Sequence, residues 1–297
     1  MIYLVAACTN RKAARAKIRA RDLPAGPLDA RARIWASQLH KSEAVTSAGD
    51  MYQGEHWAVA RTAANRSDVS LLVASAGYGL VLASTGIAGY SATFGRGHPD
   101  CVVTRFGVDE ARSWWNAMRD RVSCGAPRLA ELGRTGPIVI AASAAYIEAM
   151  HDEVLEALES GRQVLLVTAG RLSSALEPAH VPVEGRLRLV LGGSMQAVNA
   201  RAAAFLLDDP SPKSLTSDCA RARLAKLADS APPLRQLNRA PLTDDEVVDF
   251  AIDVLLRDES ASWSRVLRLL RQSGHACEQR RFKGLYALAS SSLARTT

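Results

Sequence analysis

Three short polar stretches of the 297-residue chain carry side chains capable of binding or catalysis. Cys8-Thr9-Asn10-Arg11-Lys12 follows the apolar run 2–7. Ser75-Ala76-Gly77-Tyr78-Gly79 follows a second run, 71–74, and Tyr90 comes shortly after. Gly192-Gly193-Ser194 follows a third run, 187–191, with Asn199 and Arg201 beyond it. Hydroxyl and amide groups can hydrogen-bond a ligand, and Arg11 and Lys12 can meet phosphate or carboxylate. Glycines allow close backbone approach, and free N–H groups at a helix start point at an anion. The expected ligand- and phosphate-binding set is therefore Cys8, Thr9, Asn10, Arg11, Lys12, Ser75, Gly77, Tyr78, Gly79, Tyr90, Gly193, Ser194, Asn199 and Arg201.

Each stretch also has a plainer reading. Cys8 has no His or Asp near it in sequence, and free cysteines usually behave as small buried hydrophobes. Ser75 to Gly79 reads equally as a tight turn with a buried tyrosine. Gly192-Gly193-Ser194 reads as an ordinary turn with Ser194 capping the next helix. For acid or base work the candidates are Asp22, Asp100 and Asp109, and the sequence does not choose among them. His98, in the glycine-rich segment 95–100, is either a base or a surface residue.

The apolar runs lack a polar alternate face, which predicts buried strands of a mostly parallel sheet. In such folds ligands bind where strands deliver their C-terminal ends, so the polar stretches would rim a pocket. Strands are predicted at 2–7, 71–74, 138–142, 164–167 and 187–191. Helices are predicted at 28–48, 55–64, 109–123, 144–159, 195–207 and 220–228. The expected fold class is α/β, a mostly parallel sheet flanked by helices (Rossmann-like or glycosylase-like), with a small all-helical C-terminal domain. The expected domains are a nucleotide- or base-binding core over 1–209, a linker with a short helix over 210–241, and a basic helical domain over 242–297.

That last domain starts with Thr243-Asp244-Asp245-Glu246, a capping box. Helices are predicted at 247–257, 262–271 and 278–289. Between Trp263 and Arg295 the basic residues are Arg265, Arg268, Arg271, Arg280, Arg281, Lys283 and Arg295, against one acidic residue, Glu278. Two basic helices joined by a glycine turn resemble a helix-turn-helix. Arg268, Arg271, Arg280, Arg281 and Lys283 are the expected nucleic-acid contacts. The plainer reading is a helical bundle with a solvated basic face.

Composition agrees with a globular chain: 48% apolar, 23% charged, formal net charge +7. A basic excess permits an acidic partner without demanding one. The five cysteines include no CxxC pair, and the six histidines show no HxH or HExxH spacing. Neither a metal site nor a metal-dependent nuclease is expected. The Walker A and dinucleotide fingerprints are absent as well, and no cofactor is expected. The first apolar run is too short for a signal or a membrane span, which predicts a cytoplasmic protein with no membrane partner.

Several of these pieces fall in a familiar order: Cys8-Thr9 and Lys12, then Arg21-Asp22-Leu23, then Ser75-Ala76-Gly77-Tyr78-Gly79-Leu80, then Ile87 and Tyr90. Over residues 2–106 the chain resembles the DUF6884 family, which is distantly similar to the peroxide-stress YaaA-type proteins. Gly77 stands where that family usually has a lysine. The resemblance implies a glycosylase-like core linked to modified-nucleobase and DNA-damage systems. The expectation is a nucleic-acid-associated protein with a nucleobase pocket, an N-glycosidic hydrolase or transferase of a DNA-modification or defence system. DNA is the expected partner, with a protein partner from a multi-gene system. The alternative is a non-catalytic DNA-binding or scaffold protein whose C-terminal helices contact DNA.

Overall fold

The computed structural model describes residues 1–103, 108–122, 125–209, 214–233 and 238–293. Contacts divide the chain into two compact units, Met1–Pro233 and Leu234–Thr297.

The first unit is built on a six-stranded sheet. Its strands are β1 (Ile2–Ala7), β2 (Val69–Ser75), β3 (Gly79–Leu82), β4 (Ile138–Ala141), β5 (Val164–Thr168) and β6 (His180–Pro182). They lie in the order β3-β2-β1-β4-β5-β6, all parallel except β3, which pairs antiparallel with β2. The central strands β1, β4 and β5 read Ile-Tyr-Leu-Val-Ala-Ala, Ile-Val-Ile-Ala and Val-Leu-Leu-Val-Thr. Continuous apolar sequence is what a strand needs when helices cover both of its faces.

Those helices flank the sheet in two groups. In one, α1 (Leu28–His40) and α4 (Ala144–Ala149) pack on α3 (Val108–Arg121). Ala32, Trp35, Ala36 and Leu39 form the buried stripe of α1 at helical spacing. In the other group α2 (Glu55–Ala63) packs on α6 (Val198–Leu207). A helix over Ser217–Asp229, α7 here, belongs to this first unit and packs against β6 and α6. Of the expected linker, residues 210–213 and 234–237 lie outside the described residues.

Several expected elements need correction. The run Leu187–Leu191 is a short helix, with Leu187 buried and Leu189 and Val190 exposed. A short apolar run does not by itself separate strand from helix. The sheet edge is instead taken by His180–Pro182, whose proline hid it. The helix expected over 28–48 stops at His40, and Thr46–Ser47 pairs with Gly86–Ile87. The helix expected over 144–159 breaks at Met150 into α4 and α5 (His151–Glu159). Gly79–Leu82, where no strand was expected, is the edge strand β3.

The described residues of the second unit form three helices, α8 (Asp244–Arg257), α9 (Trp263–Gln272) and α10 (Gln279–Leu293). The capping box is present: Thr243 Oγ1 accepts from the Glu246 amide (3.3 Å), and Glu246 accepts from the Thr243 amide (2.8 Å). Val247, Ala251, Leu255, Val266, Leu270 and Phe282 are among the residues of its own small core.

Candidate functional site

The chain leaves β1 for β2 on one side and later leaves β4 for β5 on the other. A crevice at such a reversal, outside the C-terminal strand ends, is where open α/β sheets bind ligands. Cys8 follows β1 there, and Tyr146 stands in the first turns after β4. Their side chains meet, Cys8 Sγ lying 3.2 Å from Tyr146 Oη. Thr93 Oγ1 lies 3.4 Å from the same hydroxyl, and Phe94 packs edge-on to the ring at 5.0 Å. Burial pushes the Tyr146 phenol well above its ordinary pKa, and Cys8 adds to the effect.

The rest of the Cys8–Lys12 stretch is fastened to residues 51–53. The Thr9 hydroxyl reaches the Arg11 and Gln53 carbonyls, both at 2.8 Å. The Ala13 amide donates to Met51 and the Gln53 amide to Arg11. Lys12 Nζ donates to the Thr9 carbonyl (2.9 Å) and lies 4.5 Å from the centre of the Tyr90 ring. Burial lowers the Lys12 pKa, while Cys8 and Asp100 oppose that shift. Asn10 and Arg11 are exposed.

The Ser75–Gly79 stretch is the turn of the β2–β3 hairpin and lies in the core, not at a rim. Ser75 and Tyr90 are fully buried and Tyr78 nearly so. Ser75 Oγ accepts from the Gly77 and Tyr78 amides, each at 3.1 Å, and meets Tyr90 Oη at 2.6 Å. Tyr90 Oη also meets Tyr52 Oη at 2.9 Å. The turn's own carbonyls are capped by indoles: Trp35 donates to Gly77 (2.8 Å) and Trp114 to Ala76 (2.7 Å). The Ser75 hydroxyl, the Gly77 and Tyr78 amides and the Ala76 and Gly77 carbonyls therefore all find protein partners, as burial requires. A Cβ on Gly77 would stand 2.5 Å from the Tyr90 ring, which explains why this position has no side chain. Gly79 holds a positive φ of 74°, a left-handed conformation that disfavours side chains.

The carboxylate candidates do not converge. Asp100 is buried and gripped by Arg21, which donates through Nε (2.8 Å) and Nη2 (2.6 Å), while Ser91 Oγ donates at 2.7 Å. These bonds, those to Arg21 foremost, hold its carboxyl well below the ordinary range, so it is a weak proton acceptor. His98 Nδ1 accepts from the Asp100 amide at 3.0 Å and so braces the same loop. Asp22 is exposed at the end of the single turn Ala20–Asp22, and Asp109 is exposed in the first turn of α3.

The Gly-Gly-Ser stretch does hold an anion, and the anion is the chain's own. Glu55 Oε2 accepts from the Ser194 amide (3.0 Å), and Oε1 accepts from Arg201 Nε (3.0 Å) and Nη2 (2.7 Å). The Ser194 and Arg201 bonds lower the Glu55 pKa to about 2. Gly193 has φ 75° and lies so close that a Cβ would meet Glu55 Oε1. Asn199 instead ties strand ends together, accepting from the Ala169 amide and donating to the Ala142 carbonyl.

In the helical unit the basic residues divide. Arg281 is paired with Asp244, and its Nη2 donates to the Leu242 carbonyl (2.8 Å). Arg265 is paired with Asp258 at 2.9 Å. Arg268, Arg280 and Lys283 are exposed; Arg295 lies outside the described residues. Arg268 and Arg271 line a groove of about 400 Å³ together with Arg239, Trp263, Gln272 and Gln279. No acidic residue lines it. Neither Trp263 nor Arg239, which lies in the chain before α8, was among the residues expected to contact nucleic acid.

Among the described residues no three His, Cys, Asp or Glu side chains are placed to hold a metal ion. No described helix is long and apolar enough to cross a membrane. No family model, curated protein or solved structure matches the chain.

Proposed function

We propose that this is a nucleic-acid-binding protein, with DNA as the partner, whose small helical unit makes the contact. The observation that carries the reading is the groove: arginines and a tryptophan in one concavity with no carboxylate among them. Phosphate contacts by Arg and Lys supply most sequence-independent affinity and make it salt-dependent. The resemblance to the DUF6884 family points the same way, towards a DNA-modification or defence system with a protein partner.

The test is binding of labelled DNA to the full-length chain at 50 and 200 mM salt. With about three phosphate contacts, affinity should fall about 40-fold between the two. Binding that ignores salt, or no binding, overturns the reading.

A second reading is N-glycosidic hydrolysis or transfer in a Rossmann-like or glycosylase-like core. It is supported by the meeting of Cys8 and Tyr146 at the strand reversal, with Lys12 near enough to interact electrostatically with Cys8. The antiparallel β3 departs from a wholly parallel arrangement. Base release from DNA by the full-length chain, lost in Lys12→Met, is the expected result; no release overturns this reading while leaving the first intact.

A further inference from the structure

Arg239, Arg268 and Arg271 of the helical unit lie in a hollow rather than on a ridge. Reading a duplex through its major groove needs a convex element, a helix whose side chains project between the backbones. Here Arg268 and Arg271, on successive turns of α9, face a concavity bounded by Gln279 at the start of α10. A concavity cannot enter a groove. It receives something narrower than itself.

The lining says what would fit. Trp263 and Leu267 give the hollow an apolar face, and Trp263 is half-buried, so its ring is partly free. Lys283 Nζ lies 5.8 Å from the ring centre and adds positive charge beside it. Gln272 and Gln279 bring amide groups that can both donate and accept. Arg239 and Arg271 are held in place, Arg239 Nε donating to the Arg271 carbonyl and Arg271 Nη2 to the Cys277 carbonyl. Arg268 is exposed and has no hydrogen-bond or ion-pair partner among the described residues. An aromatic face for a base, guanidinium for phosphate and amides for base edges is the set that single-stranded nucleic acid uses. A volume of about 400 Å³ is on the scale of one nucleotide rather than a duplex.

We infer that this hollow takes an unpaired nucleotide of a single strand, with its base against Trp263 and its phosphate on Arg268. The inference rests on the nucleic-acid reading above and narrows it. The experiment measures anisotropy of a labelled 12-nucleotide oligo(dT) and a 12-base-pair duplex of mixed sequence with the full-length chain at one salt concentration. The single strand should bind about tenfold more tightly, the scale of one base–aromatic stack. Trp263→Phe should keep most of that preference and Trp263→Ala should abolish it. Because Trp263 also packs on the small core, Arg268→Ala serves as the variant that does not disturb folding. It should weaken single-strand binding several-fold. Equal or tighter duplex binding, an unaffected Arg268→Ala, or displacement of the oligonucleotide by inorganic polyphosphate at equal phosphate concentration overturns the inference but not the nucleic-acid reading. Binding of neither probe overturns both.

Discussion

Ser75, Tyr90, Asp100 and Arg201 of the α/β unit and Arg268 in the groove of the helical unit were all nominated by residue type but stand in opposite circumstances. In the α/β unit side chains answer one another: Ser75 with Tyr90, Tyr90 with Tyr52, Asp100 with Arg21, Glu55 with Arg201. In the groove Arg268 is left facing solvent. A group whose hydrogen bonds are met inside the fold contributes to stability and has little left for a ligand. A cation held exposed without a counter-charge contributes little to stability and is ready for an outside anion. The lesson is that residue type nominated both regions, while partnership separates them.

Substitutions should sort along that line. Gly77→Lys drives a side chain into the Tyr90 ring and should cost on the order of 3 kcal/mol in urea unfolding. An unchanged midpoint would mean the hairpin turn is not packed as described. Asp100→Ala strips Arg21 and Ser91 of their acceptor and should cost about 2 kcal/mol by the same measurement. Tyr90→Phe removes the hydroxyl between Ser75 and Tyr52 but keeps the ring, for about 1 kcal/mol.

Glu55 offers a test through pH. Its folded pKa of about 2 lies below the ordinary 4.5, so its contribution is whole above about pH 4.5 and drains away as pH falls towards 2. Glu55→Gln should therefore melt below the wild type at pH 6, with the gap closing across that acid window. A gap that stays constant to pH 2 would detach Glu55 from Arg201. At the far end, Arg268→Ala should leave the unfolding free energy unchanged within about 0.5 kcal/mol while reducing the salt dependence of DNA binding by about one unit of slope. If it destabilised the fold as Asp100→Ala does, the contrast between the regions would collapse.

Much of the fold was legible in the sequence because the signals were local. Ile2–Ala7 reads as a buried strand from composition alone, and Thr243 with Glu246 announces a helix start. What was not legible depended on distant partners. Nothing in the chain near residue 100 says that Arg21 will take its carboxylate, nor does Gly192-Gly193-Ser194 reveal that Glu55 has filled the anion position. The hairpin strand Gly79–Leu82 was hidden by its glycine, and the helix Leu187–Leu191 by an apolar run too short to show a period. Trp263 was legible as apolar, but only the neighbouring Arg239 and Gln279 turn it into the face of a groove.

The edge strand β6 carries one more consequence. An open sheet edge is a template on which another chain can add a strand. Here one guanidinium takes the carbonyl that opens the strand: Arg221 of α7 donates to His180, and also to Glu177 and Pro178 in the turn before it. Pro182 removes a donor from the same strand. Arg221 and Pro182 thus leave this edge fewer free backbone groups to offer another chain.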